Sequence, residues 1–103
     1  MYDLIIIGGG PGGVAAGVYA ARKTFKTLLI TDSFGGQSLV SADIQNWIGT
    51  KSVSGFDFAK MLEDHLRAQE DIEIVDNDRA SLVKKIDGGF SVQTEGGKNY
   101  ETK

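Results

Sequence analysis

Four branched apolar residues, Leu4 to Ile7, run directly into "GGGPGG", where five of six positions are glycine. Ordering glycine removes more conformational freedom than ordering any other residue. Such a run is useful where a Cβ would obstruct something. Tyr2 to Ile7 is apolar on both faces, the pattern of a strand buried in a parallel sheet. Pro11 suits the first turn of a helix, where a missing N–H leaves no helical bond unmade. From Pro11 to Arg22, Val14, Val18 and Ala21 recur at helical spacing. "KTLLIT", Lys26 to Thr31, reads as a second buried strand. Strand, helix and strand in this order make a βαβ unit, whose crossover is right-handed.

The glycines match G-x-G-x-x-G as Gly8, Gly10 and Gly13. In that pattern the first glycine allows the tight turn off the strand. The second lets a dinucleotide pyrophosphate approach the backbone, and the third lets helix and strand pack closely. The helix N-terminus supplies free N–H groups and a partial positive charge, so an anion is held without a basic side chain. The alternative is a glycine-rich turn that serves packing alone; the flanking strands and helix favour the dinucleotide. A P-loop is disfavoured, since no Gly-Lys-Ser/Thr follows. Asp32 lies near the spacing at which an acidic residue meets the ribose. It is expected one residue past the second strand, as a ribose ligand or as a turn-former.

Residues 32–56, rich in Gly and Ser, are expected to be a long loop anchored by Trp47 and Ile48; loops of such length are usually functional or disordered. Asp57 is expected to cap a helix running to Glu70. Its inner face would carry Phe58, Met61, Leu62, His65, Leu66 and Gln69. His65 reads as a partly buried structural histidine, and Phe56 and Phe58 as core. Ile72–Val75 is predicted to be a third strand. Segments Arg79–Ile86, Gly89–Thr94 and Lys98–Thr102, separated by "DGG" and "EGG", are predicted to form a three-stranded antiparallel meander. The fold class is therefore α/β: an incomplete doubly wound, Rossmann-like parallel sheet with a β-meander. One domain is expected over residues 1–103, with the nucleotide-binding part over 1–76 and the meander over 77–103.

Composition removes several functions. There is no cysteine, so disulfides, cysteine-rich zinc sites and thiol catalysis within these residues are excluded. A net charge of −3 with no basic stripe argues against nucleic acid. No apolar run approaches a membrane span, and the N-terminus lacks the basic region of a signal peptide; a cytoplasmic location is expected.

Together, "GGGPGG", "AARK", "FGGQ" and "IQNWIG" make the chain resemble the N-terminal part of the FAD domain of thioredoxin reductase-like flavoproteins, a group that includes the flavoprotein component of alkyl hydroperoxide reductase. The resemblance implies FAD as cofactor. It places Gly8, Gly10, Pro11 and Gly12 at the pyrophosphate, with Gly13 also among the cofactor-binding residues, and Thr31 and Asp32 at the adenosine ribose. Many members carry Glu where this chain has Thr31. Gly35, Gly36 and Gln37 would follow the cofactor toward the flavin, Asn46 would lie near the flavin, and Ala80 would offer backbone groups to the adenine. The physical alternatives are a flexible turn at Gly35–Gly36 and loop capping by Gln37 and Asn46. The resemblance further implies chain beyond Lys103: a strand beside Tyr2–Ile7 and an NAD(P)H-binding domain with a Cys-x-x-Cys pair. Without that strand, Tyr2–Ile7 becomes an apolar sheet edge, open to a second copy or to the rest of a flavoprotein.

The leading expectation is the FAD-binding portion of an oxidoreductase passing electrons from NAD(P)H through FAD to a disulfide. These residues supply no acid, base or nucleophile, so the chain alone is not expected to turn over. The alternatives are an NAD(P)-binding dehydrogenase domain and a non-catalytic FAD-binding or interaction module.

Overall fold

The central strand of the molecule is the second in sequence. A computed structural model describing Met1–Lys103 contains β1 (Leu4–Gly9), α1 (Pro11–Arg22), β2 (Thr27–Phe34), a 3₁₀ turn (Gly36–Val40), α2 (Gly55–Arg67), β3 (Ile72–Val75) and the strands β4 (Ala80–Ile86), β5 (Gly89–Thr94) and β6 (Asn99–Thr102). β1, β2 and β3 form a parallel sheet in that spatial order, with Ile6 opposite Leu29 and Leu29 opposite Ile74. β4, β5 and β6 form the antiparallel meander.

Side-chain alternation along β2 builds two cores. Leu29 faces the helices and joins Ile6, Val14, Val18, Phe34, Phe58, Leu62 and Leu66. Leu28 and Ile30 face the other way and meet Val92 of the meander, with Tyr2, Ile5, Val75 and Tyr100 around them. The meander therefore covers the face of the parallel sheet that the helices leave bare. Layering on both faces is why Leu28, Leu29 and Ile30 are all fully buried. Gly17 lets α2 close on α1, because a Cβ there would lie 2.7 Å from Leu66 Cδ1 and 3.1 Å from Ile72 Cδ1.

Several expectations change. The second strand does not stop at Thr31 but runs to Phe34, which pairs with Gly9 after a register shift. Asp32 is thus a strand residue rather than one past the strand's end. Ser54, not Asp57, caps α2: Ser54 Oγ accepts from the Asp57 N–H at 3.1 Å. Asp57 instead places its charge in the positive first turn. The helix ends at Arg67, three residues before Glu70, so Gln69 lies beyond it. Its buried stripe is Phe58, Leu62 and Leu66, while Met61 and His65 are exposed. His65 lies on an open cleft between α1 and α2, beside Val18 and Tyr19. Phe56 points outward and is 71% exposed, since the helix turns only Phe58 inward.

Segment 32–56 is more ordered than a plain loop. Besides the end of β2 and the 3₁₀ turn, Ile44 and Val53 exchange two backbone hydrogen bonds, at 2.7 and 3.0 Å. Trp47 anchors it edge-on to Phe58 with ring centroids 4.9 Å apart. Ile48, expected as a second anchor, is 96% exposed.

Beyond Tyr2, the outer edge of β1 is free of strand pairing. Tyr2 bonds to Glu101 and Lys103 through backbone groups at 3.0 Å. Past it, an apolar groove of about 390 Å³ runs between β1 and the meander, lined by Ile5, Ile7, Val83 and Phe90 among others. No helix is long and apolar enough to cross a membrane.

Candidate dinucleotide-binding site

Each glycine of the opening loop has its own reason to lack a side chain. Gly8 leaves β1 with φ +111°, a conformation that L side chains rarely adopt. A Cβ on Gly13 would run into the Gly8 carbonyl oxygen, so strand and helix meet backbone to backbone there. Gly10 and Gly12 differ: nothing lies within 4 Å of where their Cβ atoms would stand. Internal packing therefore does not require glycine at these two positions, and both border open space at the helix start.

Gly10 is the N-cap of α1 and Pro11 follows it; no side chain caps the first turn and no acidic residue lies in it. Val14 N–H is the first to bond back, to the Gly10 carbonyl at 3.0 Å. The N–H groups of Gly12 and Gly13 are left to the exterior, at the positive end of the helix dipole. This end can hold an anion through backbone amides alone.

A second glycine pair approaches the first. Gly35 N–H donates to the Gly9 carbonyl at 3.0 Å. Gly35 and Gly36 both have positive φ, at 102° and 52°. A Cβ on Gly36 would stand 3.6 Å from Gly10 Cα. Past this contact, Gln37 and Asn46 line one cavity of about 330 Å³ together with Pro11, Ser41, Trp47 and Phe58. Neither Gln37 nor Asn46 spends its side-chain amide on an intramolecular hydrogen bond, so both can donate to and accept from a ligand. Their loop is tied instead by Asp43, which accepts from Gln45 and Ser52.

The residues expected on the adenosine side divide by exposure. Thr31 is buried, and its hydroxyl donates to the Ser33 carbonyl at 2.5 Å. Asp32 is exposed at the carboxyl end of β2, with Arg79 Nε 3.9 Å from its carboxylate. Ala80 is half-buried against the Leu28, Ile30 and Val92 core and pairs with Thr94. The structure thus brings Pro11, Gln37 and Asn46 together on one cavity beside the two glycine pairs, and sets Asp32 on β2 between the residues that pair with Ile7 and Gly9, with Ala80 apart on the meander.

Sequence reasoning missed Asp78 and Arg79. Asp78 Oδ1 accepts from the N–H groups of Arg79 and Gly96, at 2.8 and 3.0 Å, and so ties the β3–β4 turn to the β5–β6 turn. The Thr94 hydroxyl first, then these two amides, hold the Asp78 carboxyl below its ordinary value of 3.8. A folded-state pKa below the unfolded one stabilises the fold above the unfolded value, and that stabilisation is lost as pH falls through the folded one. Asp78→Asn is therefore expected to flatten the decline of melting temperature between pH 5 and pH 2, measured by circular dichroism; an unchanged slope would show that Asp78 has no part in it.

The open glycine cradle fits a dinucleotide: a diphosphate can reach bare amides at Gly12 and Gly13, and a ring system can lie toward Gln37 and Asn46. A family model described as FAD dependent oxidoreductase matches residues 3–97. The chain belongs to the FAD-dependent oxidoreductase family. It is 37% identical over 102 residues to an alkyl hydroperoxide reductase of Staphylococcus epidermidis, covering 99% of this chain and 20% of that protein. Among solved structures, thioredoxin reductase of Lactococcus lactis superposes with a TM-score of 0.92 at 29% identity, covering 100% of this chain and 33% of that one. Thioredoxin reductase of T. acidophilum does so with a TM-score of 0.89 at 30% identity, covering 98% and 33%. The chain thus spans about a fifth of the length of the curated relatives it matches and a third of the solved ones.

Proposed function

We propose that these residues bind FAD and orient it within an oxidoreductase that takes electrons from NADH or NADPH and delivers them to a disulfide. The observation that carries this reading is the pair of open positions at Gly10 and Gly12, where absent side chains serve no internal packing. The relatives' names, alkyl hydroperoxide reductase and thioredoxin reductase, support the reductase chemistry.

When bound, FAD supplies the redox chemistry, accepting hydride and passing electrons on. The work of the protein is binding and orientation. The first turn of α1 receives the diphosphate through N–H groups, Gly35 and Gly36 keep the path clear, and Gln37 and Asn46 address the polar edge of the ring. Trp47, held against Phe58, walls the ring end from solvent. Residues 1–76 carry the nucleotide, while residues 77–103 cover the sheet and offer the backbone near Ala80 to the adenine. No residue here acts as acid, base or nucleophile, and these residues are not active alone.

Calorimetric titration of the purified protein with FAD and with NAD tests the reading. FAD-selective binding, or visible flavin absorbance on purification, is the expected result. NAD-selective binding would make it a nicotinamide-binding domain instead, and binding of neither would leave an interaction module.

The free edge of β1 is proposed to pair with a second copy when no other part of a flavoprotein covers it. Sedimentation is expected to show a mass that rises with concentration, and Ile7→Lys, which puts a charge on a half-exposed edge position, is expected to suppress the rise. A wild-type monomer at all concentrations would overturn this.

A further inference from the structure

We infer that Asp43 is the positioning residue for the flavin end of the site: from outside the cavity it closes the base of the loop 44–53, and so holds Asn46 and Trp47 in place beside Gln37. This rests on the FAD-binding reading above.

The loop is closed by little backbone structure. Ile44 and Val53 exchange their N–H and carbonyl groups at 2.7 and 3.0 Å. Between them one further backbone bond forms, from the Thr50 N–H to the Trp47 carbonyl at 3.0 Å, where Gly49 turns with φ +98°. The rest of the closure falls to side chains, and alternation along the extended arm sorts them. Ile44 and Asn46 line the cavity with Gln37, whereas Asp43 and Gln45 do not line it and are exposed.

On that outer side one carboxylate joins the two arms of the loop. Asp43 Oδ2 accepts from Gln45 Nε2 at 2.6 Å on the outgoing arm, and Oδ1 accepts from the Ser52 hydroxyl on the returning arm. The Asp43 backbone is fixed as well, since its carbonyl accepts from Ser41 Oγ at 3.2 Å. Ser41 in turn ends the 3₁₀ turn that carries Gln37, donating its N–H to the Ser38 carbonyl at 3.2 Å, and its own carbonyl accepts from the Gly55 N–H at 2.9 Å. The turn, the loop and the start of α2 therefore meet at Ser41 and Asp43.

Fold stability does not account for these ties. Asp43, Gln45 and Ser52 are exposed and outside both cores, and Ile44 and Val53 already pack against the helix-side core. Hydrogen bonds that replace bonds to water contribute little net free energy. They do fix geometry, and a binding group must stand within about 0.5 Å of its productive place. The Asn46 side chain has no intramolecular bond to hold it, and Trp47 meets the fold edge-on at Phe58. The base of the loop thus decides where both stand.

The test titrates wild type, Asp43→Ala, Asp43→Asn, Ser52→Ala and the double alanine variant with FAD and with ADP, which lacks the flavin, and follows melting curves. Trp47 is the one tryptophan in the chain, so its emission reports the loop directly. Asp43→Ala is expected to lose about tenfold in FAD affinity, in the range of a hydrogen bond to a charged group, and to keep its ADP affinity and melting temperature. Its Trp47 emission moves to longer wavelength and is quenched more by acrylamide. Ser52→Ala shows part of the same loss, and the double variant is no weaker than Asp43→Ala, because Ser52 acts through Asp43. Asp43→Asn recovers part of the affinity, since an amide still accepts from one arm and donates to the other. If Asp43→Ala weakens FAD and ADP equally, or weakens neither, the inference is overturned and FAD binding stands. Should Asp43→Ala fail to fold, Ser52→Ala carries the same comparison, and a wild-type ratio of FAD to ADP affinity overturns the inference. A folded wild-type protein that binds no FAD overturns the function proposed above and this inference with it.

Discussion

A protein carrying Gly12→Val is expected to fold as well as wild type and to bind FAD at least about a hundredfold more weakly, a loss of ~2.7 kcal/mol. The two halves of this expectation come from one position. Gly12 is exposed on the first turn of α1, with nothing within 4 Å of where a Cβ would stand. A side chain there meets no protein atom, and valine is a somewhat better helix former than glycine. The melting temperature should therefore hold or rise slightly. The space that the side chain fills is the approach to the free N–H groups of the first turn, and a diphosphate kept at a distance loses both hydrogen bonds and dipole. Gly10→Val should behave similarly, with some loss of stability because Gly10 is the N-cap. Calorimetry for affinity and scanning calorimetry for stability separate the two effects. If the valine variants bind FAD within threefold of wild type, the glycines serve the turn alone and the diphosphate lies elsewhere.

The parts of the fold legible in the sequence were those where one local rule decides. Ile72–Val75 is a strand as read, because a short segment of β-branched residues around one glutamate, following a helix, has few other uses in a βαβ context. The meander turns fall at Gly88 and Gly97, both with positive φ, where the glycine pairs stand. The misreadings occurred where two local signals compete. Ser54 and Asp57 are both good caps, and only the packing of Gly55 against the Ser38 and Ser41 carbonyls fixes the helix start at Ser54. Phe56 and Ile48 are apolar, yet nothing in their spacing says which side a turn presents. The extension of β2 to Phe34 depends on a shifted pairing with Gly9, which no pattern in "TDSF" announces.

The candidate site divides the same way. Its glycines are legible because missing side chains leave a mark in the sequence itself. Asp32 is picked out by its spacing, but its neighbours Asp78 and Arg79 are not, since that rim exists only once the β3–β4 turn docks on Thr31 and the β5–β6 turn docks on Asp78. These contacts join residues far apart in the chain, and "NDRA" alone reads as an ordinary polar turn.

One position along from Gly12, the sign of the stability effect reverses. Gly13→Ala is expected to destabilise the protein by about 3 kcal/mol or more, at or above the top of the range for overpacking. Helix propensity alone predicts the opposite, a gain of ~1 kcal/mol for alanine over glycine. Contact geometry outweighs it. The new methyl would run into the Gly8 carbonyl oxygen, and Gly8 is poorly placed to yield, since it sits at φ +111° in a turn that also delivers Gly9 to Phe34. Relief requires α1 to lift from β1, which opens the core around Ile6, Val14 and Val18. For a domain whose total stability is about 5–15 kcal/mol, that loss is large, and urea denaturation of the two glycine variants side by side would show it. A Gly13→Ala protein as stable as wild type would mean that the helix can shift at little cost. The close approach of α1 to β1 would then not be what sets the first-turn amides in place.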